Sequence, residues 1–408
     1  MTPVGMETGE RVTGTRRIPA ASGYRIGLVD KLAEIGRLRP VWEDLQYHPN
    51  ADIDLFIKRL ELKQACCRPC IFTLERNETP AALAIGRIEK TGFDIRLGYK
   101  SLFKPEVRML IINYGGFLGQ YSQEMSGLLM GELVQVLKRG EADLLFINSV
   151  SSDCGLLLQA GAQRLFLADL PGTHWSMRLP GSVDLLLGKL KSKHRYWIRR
   201  LPRVLERDYP GKIAFKTFVS VQDADQLFRD AEAVAGLTYQ RGLGAGFFDN
   251  REIRERIKLA ASKGWLRAFL LYVNGEPCAF WIGTLYKNTF HLDFTGYDPK
   301  FQKYEPGTIL FVKMLESISA ESVETVDFGF GPAFYKQRFG DKQWDETSCY
   351  IFAPSVKGKF LFCLYSLVKS LERLLRLLLT KSNFLDRLKK RWRRKLGGES
   401  QDTASVDL

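Results

Sequence analysis

No run of about 18 consecutive apolar residues occurs in this 408-residue chain, so no segment reads as a membrane-spanning helix. The first twenty residues, MTPVGMETGERVTGTRRIPA, lack the apolar stretch of a secretory signal, and the chain is expected to start and stay in the cytoplasm. Cysteine is sparse and odd in number, seven in all, which excludes a disulfide-stapled scaffold and points to a reducing compartment. Histidine is scarcer still, with four residues. Cys66-Cys67-x-x-Cys70 finds no second Cys/His pair at a ligand-like spacing, so no metal site is expected and these thiols read as buried or idle. The 36 glycines follow no three-residue period, which removes a collagen-like chain.

What is present is enough apolar residue, 45% with 12% aromatics, to bury a substantial core, and a length that suits two or three domains. The net charge of +14 is unevenly placed. From Lys357 to Lys395 there are thirteen Lys or Arg against two acids, Glu372 and Asp386, whereas the last 13 residues carry three acids and no base. A second basic stretch holds Lys189, Lys191, Lys193, Arg195, Arg199, Arg200, Arg203 and Arg207, with Trp197 and Ile198 between them. It suits the phosphates of a cofactor, an acidic acceptor, RNA or anionic lipid, or simply a solvated helix face. No nucleic-acid reading module accompanies it, and nucleic acid is not an expected partner.

The sequence also repeats itself. Phe72 to Gly86 aligns without a gap on Phe269 to Gly283 at an offset of 197 residues, with Phe72/Phe269, Leu74/Leu271, Asn77/Asn274, Pro80/Pro277, Ala82/Ala279, Ile85/Ile282 and Gly86/Gly283 identical. Each copy reads as a β-hairpin turning at its asparagine, and Asn274-Gly275 is the preferred pair for a type I′ turn. A like succession follows: a strand from Val107 to Phe117, a helix from Glu124 to Leu137 and a strand from Ala142 to Ser149, then a strand from Thr289, a helix from Gly307 to Ala320 and a strand from Glu324 to Gly329. Helices are also expected over Asp223 to Ala235 and Arg251 to Lys263. This order implies two related α/β domains, residues 21–175 and 176–355, after a flexible leader over 1–20.

Beyond Pro354, Leu361, Leu364, Val368, Leu371, Leu375 and Leu378 recur at spacings of three and four, and Trp392 sits among seven bases. Residues 356–396 are therefore expected to form an amphipathic basic helix, either lying on an anionic membrane surface or packing on the protein or a second copy; 397–408 is expected to be a disordered tail.

Lys191-SKHRYWIRRLPRVL-Leu205, Tyr239-QRGLGAGFFDN-Asn250, Tyr297-DPKFQKYEPGTIL-Leu310 and Asp327-FGFGPAFYKQRFG-Gly340 resemble the GNAT-type acyltransferase domain of the CelD/BioF2-like group, which is similar in turn to the Fem-type transferases with two GNAT-like halves. The resemblance implies two tandem GNAT-like domains, each a mixed central sheet flanked by helices, and acyl transfer from acyl-CoA to an amine or hydroxyl. It places Lys303, Pro306, Gly307 and Thr308 at the donor, because a helix N-terminus offers unpaired N–H groups and the positive end of its dipole to a pyrophosphate. It makes Asp327 the base and Tyr335 the acid for the departing thiolate, with Arg241, Asp293, Lys336 and Arg338 as substrate-binding candidates and a backbone N–H around Phe294 to Tyr297 as oxyanion donor. Asp327 also reads as a turn or cap residue, and His291 as a buried, satisfied histidine.

The expected acceptor is a glycan or amino sugar: an envelope polysaccharide, a sugar precursor or a lipid-linked intermediate, reached at the inner face of the cytoplasmic membrane. The alternatives are a Fem-like transferase using aminoacyl-tRNA and a non-catalytic scaffold in polysaccharide assembly.

Overall fold

The computed structural model describes residues 18–19, 23–77, 79–98, 100–238, 241, 246–331 and 333–380. The expected leader over 1–20 lies outside them except for β1 (Ile18–Pro19), which pairs with β2 (Tyr24–Val29). Residues 381–396 and the expected tail over 397–408 also lie outside.

In the first half, α1 (Arg39–Leu45) and α2 (Ile53–Leu62) lead into the hairpin β3 (Cys67–Arg76) and β4 (Thr79–Gly92). A small ribbon, β5 (Ile95–Leu97) and β6 (Lys100–Phe103), precedes β7 (Glu106–Gly119). Next, α3 (Gln123–Lys138), capped by Ser122 Oγ on the Met125 N–H at 3.1 Å, crosses over to β8 (Leu144–Ser151), which runs parallel to β7. There follow α4 (Gly155–Gly161), β9 (Phe166–Ala168) and β10 (Gly172–Arg178).

The second half opens with α5 (Val183–Gly188), α6 (Ser192–Asp208), β11 (Ile213–Phe218), α7 (Ala224–Ala235) and α8 (Arg251–Ser262). Its hairpin is β12 (Leu266–Val273) with β13 (Glu276–Tyr286), followed by β14 (Thr289–Tyr297), the crossover helix α9 (Pro306–Ile318) and β15 (Thr325–Phe330), parallel to β14. Then come α10 (Phe334–Phe339), β16 (Lys342–Phe352) and α11 (Val356–Thr380).

The sequence repeat has a structural cause at both of its ends. Asn77 and Asn274 have φ of 52° and 57°, in the left-handed region that asparagine tolerates, and Gly275 follows at 81°. Gly86 and Gly283 sit at matching irregularities, where β4 slips against β7 between Ala84 and Gly86 and β13 slips against β14 between Ile282 and Gly283. A Cβ on Gly86 would lie 2.7 Å from the Cys70 carbonyl oxygen, and one on Gly283 would lie 2.5 Å from that of His291, so each bulge admits only glycine without a shift.

All the main strands join one sheet of 14 strands in the order β1-β2-β3-β4-β7-β8-β16-β10-β15-β14-β13-β12-β11, with β9 beside β16. The two central strands are exchanged: β10 follows the first half but pairs with β15, and β16 follows the second half but pairs with β8. The boundary expected at 175/176 therefore falls inside β10. Each half buries both faces of its sheet, against α3 and α4 on one side and α1 and α2 on the other in the first half, and against α6 and α9 or α7 and α8 in the second. Between the halves, α2 and α8 pack through charge, with Lys58 to Glu255 at 3.7 Å and Lys63 to Glu252 at 3.4 Å.

The C-terminal helix differs from the single apolar stripe expected of it. Leu361 and Val368, with Tyr365, are buried against Phe93 and Ile95 of the first half, while Leu371 and Leu375 are exposed. Packing on the chain itself, one of the two expected outcomes, holds for the first of these sets. No helix among the described residues is long and apolar enough to cross a membrane.

Candidate active site

The parallel strands β14 and β15 pair over three residues only, Thr289 with Thr325, Phe290 with Val326 and His291 with Asp327, and then splay apart. Past His291, every second N–H of β14 faces the gap with no strand opposite it, as the expected oxyanion donor requires. The gap holds a cavity of about 760 Å³ whose walls include Thr295, Gly296 and Tyr297 of β14, Gly307 and Thr308 of α9, and an aromatic set of Trp281, Phe311, Phe330 and Tyr335. The same lining includes Glu305 and Lys336, so the cavity offers an aromatic wall to an apolar arm and two charged side chains to a polar group.

At the closed end of the gap lies Asp327, with 9% of its surface exposed. It does not open onto a cleft as a free base. Its Oδ1 accepts from His174 Nε2 at 2.6 Å and from the Gly329 N–H at 2.8 Å, and its Oδ2 faces His291 Nδ1 at 3.2 Å. Burial alone would raise this carboxyl, but the hydrogen bonds and charge of the two imidazoles outweigh it and hold the group far below the usual carboxylate range. Asp327 is therefore ionised at neutral pH and too weak a base to take a proton itself. The reading of His291 as a satisfied histidine is corrected as well: with Nδ1 on Asp327, its Nε2 is buried without a hydrogen-bond partner. A carboxylate at one ring nitrogen and no partner at the other is the arrangement that a general base needs.

The remaining groups come from distant parts of the chain. His174, on β10, is fully buried; burial pulls its pKa down, but Asp327 and Glu346, the latter 3.5 Å from Nδ1, push it up to about 9. Trp344 stacks on it at 4.3 Å. From the first half, His48 meets His291 edge-on at 4.5 Å and Tyr114 meets His48 at 4.7 Å. Gly115 permits this approach, since a Cβ there would lie 3.0 Å from His48 Cβ. Burial, and then the His291 charge, keep His48 well below its ordinary pKa and so neutral.

Three of the chain's four histidines thus converge on one carboxylate, across the seam between the halves. Only His291 was singled out from sequence. His48 and His174 lie more than 100 residues apart and from His291, and their scarcity was the one available signal. His48, His291 and Asp327 place one ligand atom each within 4.8 Å of one another. A metal there would have to displace the hydrogen bonds already on both Asp327 oxygens and the Asn50 N–H donated to His48 Nδ1 at 3.1 Å.

Of the other expected site residues, Tyr335 and Lys336 line the cavity. Tyr335 packs on Trp281 at 5.0 Å. Lys336 donates to the carbonyls of Gly329, at 3.1 Å, and Phe330, and its burial, partly opposed by Asp327, lowers its pKa to about 8. Gly307 and Thr308 line the cavity, and Pro306 is buried at the start of α9.

The N-terminus of α9 is not a free anion site. Glu305, in the left-handed region at φ 47°, brings its carboxylate there to accept from Thr308 Oγ1 at 3.0 Å, Trp197 Nε1 at 2.9 Å and Arg338 at 3.1 Å. Burial would raise this carboxyl, yet Trp197 and Arg338 hold it below its ordinary value, so a second anion such as a pyrophosphate would meet a fixed negative charge. Arg338 is the partner of Glu305 rather than a lining residue. Lys303 lies over Tyr304, 3.7 Å from Asp208, and does not line the cavity. Asp293 is bound by Arg256 and by Thr284 Oγ1 at 2.6 Å, and Arg241 by Glu232 with its guanidinium over Phe248, so neither faces the cavity.

Residues 192–337 match the family model of the acetyltransferase (GNAT) domain, which does not name the narrower CelD/BioF2-like group. No curated protein matches the chain. Among solved structures, FemX is similar at 12% identity over 71% of this chain and 90% of its own, with a TM-score of 0.49. L-PGS from Bacillus licheniformis is similar at 13% identity over 85% and 98%, TM-score 0.49, and a tandem GNAT protein from the clavulanic acid biosynthesis pathway at 10% over 81% and 99%, TM-score 0.45. The similarity to a GNAT-type acetyltransferase domain is thus confined to residues 192–337.

Proposed function

We propose that the protein is an acyltransferase that moves an acyl group from an acyl-CoA thioester to an amine or hydroxyl of an envelope polysaccharide, sugar precursor or lipid-linked intermediate. One observation carries the reading: the β14/β15 fork holds an aromatic-walled cavity of about 760 Å³, and the two strands meet below it at the His291–Asp327 pair, which does not itself line the cavity. In this reading the acyl arm occupies the cavity and the acceptor arrives from the seam between the halves, where His291 Nε2 lies. His291 takes the proton of the attacking amine or hydroxyl, and Asp327 fixes the ring and stabilises the imidazolium that forms. The new C–N or C–O bond forms as the C–S bond breaks, with the developing oxyanion on a backbone N–H of β14 that faces the gap. Lys336, with a pKa of about 8, or Tyr335 returns a proton to the leaving thiolate.

Glu305 favours a second reading. A carboxylate at the α9 N-terminus opposes a CoA pyrophosphate there, whereas aminoacyl-tRNA carries its phosphates elsewhere. The exposed Lys191, Lys193, Arg200 and Arg203 of the adjoining α6 segment make no ion pair among the described residues. Thermal unfolding of the full chain with CoA, acetyl-CoA, longer acyl-CoAs and tRNA separates the two. A ligand at 100 times its dissociation constant stabilises the fold by about 2.7 kcal/mol. A rise that grows with acyl length supports the first reading; a rise with tRNA alone overturns it.

A further inference from the structure

The helix α11 carries two apolar faces. One is buried on the first half; the other, made of Val356, Phe360, Leu367, Leu371 and Leu374, is exposed by 88, 60, 67, 43 and 53%. At 3.6 residues per turn these five side chains fall within an arc of about 60°, forming a continuous stripe. Lys359 borders it and makes no ion pair among the described residues, unlike Lys357, tied to Asp143 at 2.8 Å, and Lys369, tied to Asp169 at 2.8 Å. The ribbon β5/β6, against which α11 packs, exposes Leu102 and Phe103 by 49% each. The sequence from Lys381 to Lys395 then adds eight bases, one acid and Trp392.

We propose that this stripe docks in the plane of an anionic lipid bilayer, such as a phosphatidylglycerol-rich cytoplasmic leaflet, with Phe360, Leu367 and Leu374 entering the acyl boundary and the bases meeting headgroup phosphates. Charge decides among occupants. A second copy of the chain would bring Lys359 and the bases after Thr380 against like charge, whereas an anionic surface complements all of them. The proposal does not depend on the acyl-transfer reading.

The test is co-sedimentation of the full chain with vesicles of phosphatidylglycerol and phosphatidylcholine in equal parts, and with vesicles of phosphatidylcholine alone. The wild type is expected to sediment with the anionic vesicles and to stay in solution with the neutral ones. Phe360→Ser combined with Leu367→Ser should lower the partition on the order of tenfold or more. Lys359→Glu should lower it about 25-fold, at about fivefold for each unit of charge near the surface. Because these side chains are exposed, the variants should keep the wild-type melting temperature, which separates lost docking from lost folding. Equal sedimentation with both vesicle types, or with neither, overturns the proposal. So does binding that the Phe360→Ser/Leu367→Ser variant retains, or a wild-type dimer that this variant converts to monomer while vesicle binding is absent throughout.

Discussion

The two halves place the same backbone feature at the same point and fill it differently. One residue past the glycine of each bulge, Arg87 of β4 lies opposite Ile111 of β7, and Thr284 of β13 lies opposite His291 of β14. Their partners on the parallel strands are Phe146 and Asp327. In the first half the parallel pair of this rung, Ile111 and Phe146, is apolar, with Phe146 stacked on Tyr350 at 4.8 Å beneath α11. In the second half it is an imidazole and a carboxylate, roofed by His48 and Tyr114 from the other half. The repeat therefore sets register, while chemistry enters where a buried charge can be saturated with donors. Asp327 has three, which is what makes its burial tolerable.

The largest effect should come from breaking the polar rung. Asp327→Asn leaves His174 buried with Glu346, 3.5 Å away, as its remaining counter-charge and is expected to cost about 3 kcal/mol in denaturant unfolding. The same variant changes the pH profile. His174 has its folded pKa raised from the ordinary 6.5 to about 9, so its contribution is complete below pH 6.5 and is lost as pH rises through 9. Asp327, held below its ordinary value, contributes above about pH 4 and loses that contribution as pH falls through its folded pKa. Wild-type stability should decline between pH 6.5 and 9, and Asp327→Asn should flatten that decline; a decline of unchanged size would break the assignment.

Hollowing the apolar rung is next. Ile111→Ala should cost about 3 kcal/mol through the cavity it leaves, with donor binding by the folded protein unaffected, as the same thermal-shift titration would show. A loss of donor affinity would mean that the first half shares the site. Smallest, and equal in both halves if the bulges correspond, are Gly86→Ala and Gly283→Ala, each expected to cost about 2 kcal/mol. Insensitivity of one of them would show that its bulge relaxes.

Features written in neighbouring residues were legible beforehand. Both hairpins, the strand, helix and strand that follow each, and the Pro306-Gly307 start of α9 stand where turn residues and hydrophobic periods place them. Tyr335 and Lys336, which the family resemblance singled out, do line the cavity. Less legible was the direction of a side chain within a known element: Lys303, Arg338, Asp293 and Arg241 all lie near the expected regions, but their charges are taken up by Asp208, Glu305, Arg256 and Glu232. The leucines of α11 show the same limit, because a spacing of three and four marks an apolar helix without saying which neighbour covers which side.

The sequence by itself determined the repeated units, since a left-handed turn residue, a bulge glycine and an apolar period act within a few residues of one another. Tertiary structure alone decided the exchange of β10 and β16 between the halves and the meeting of His48, His174 and His291 at Asp327. Strand pairing and a buried charge network depend on which surfaces come together in space. A linear pattern carries no record of partners more than 100 residues apart.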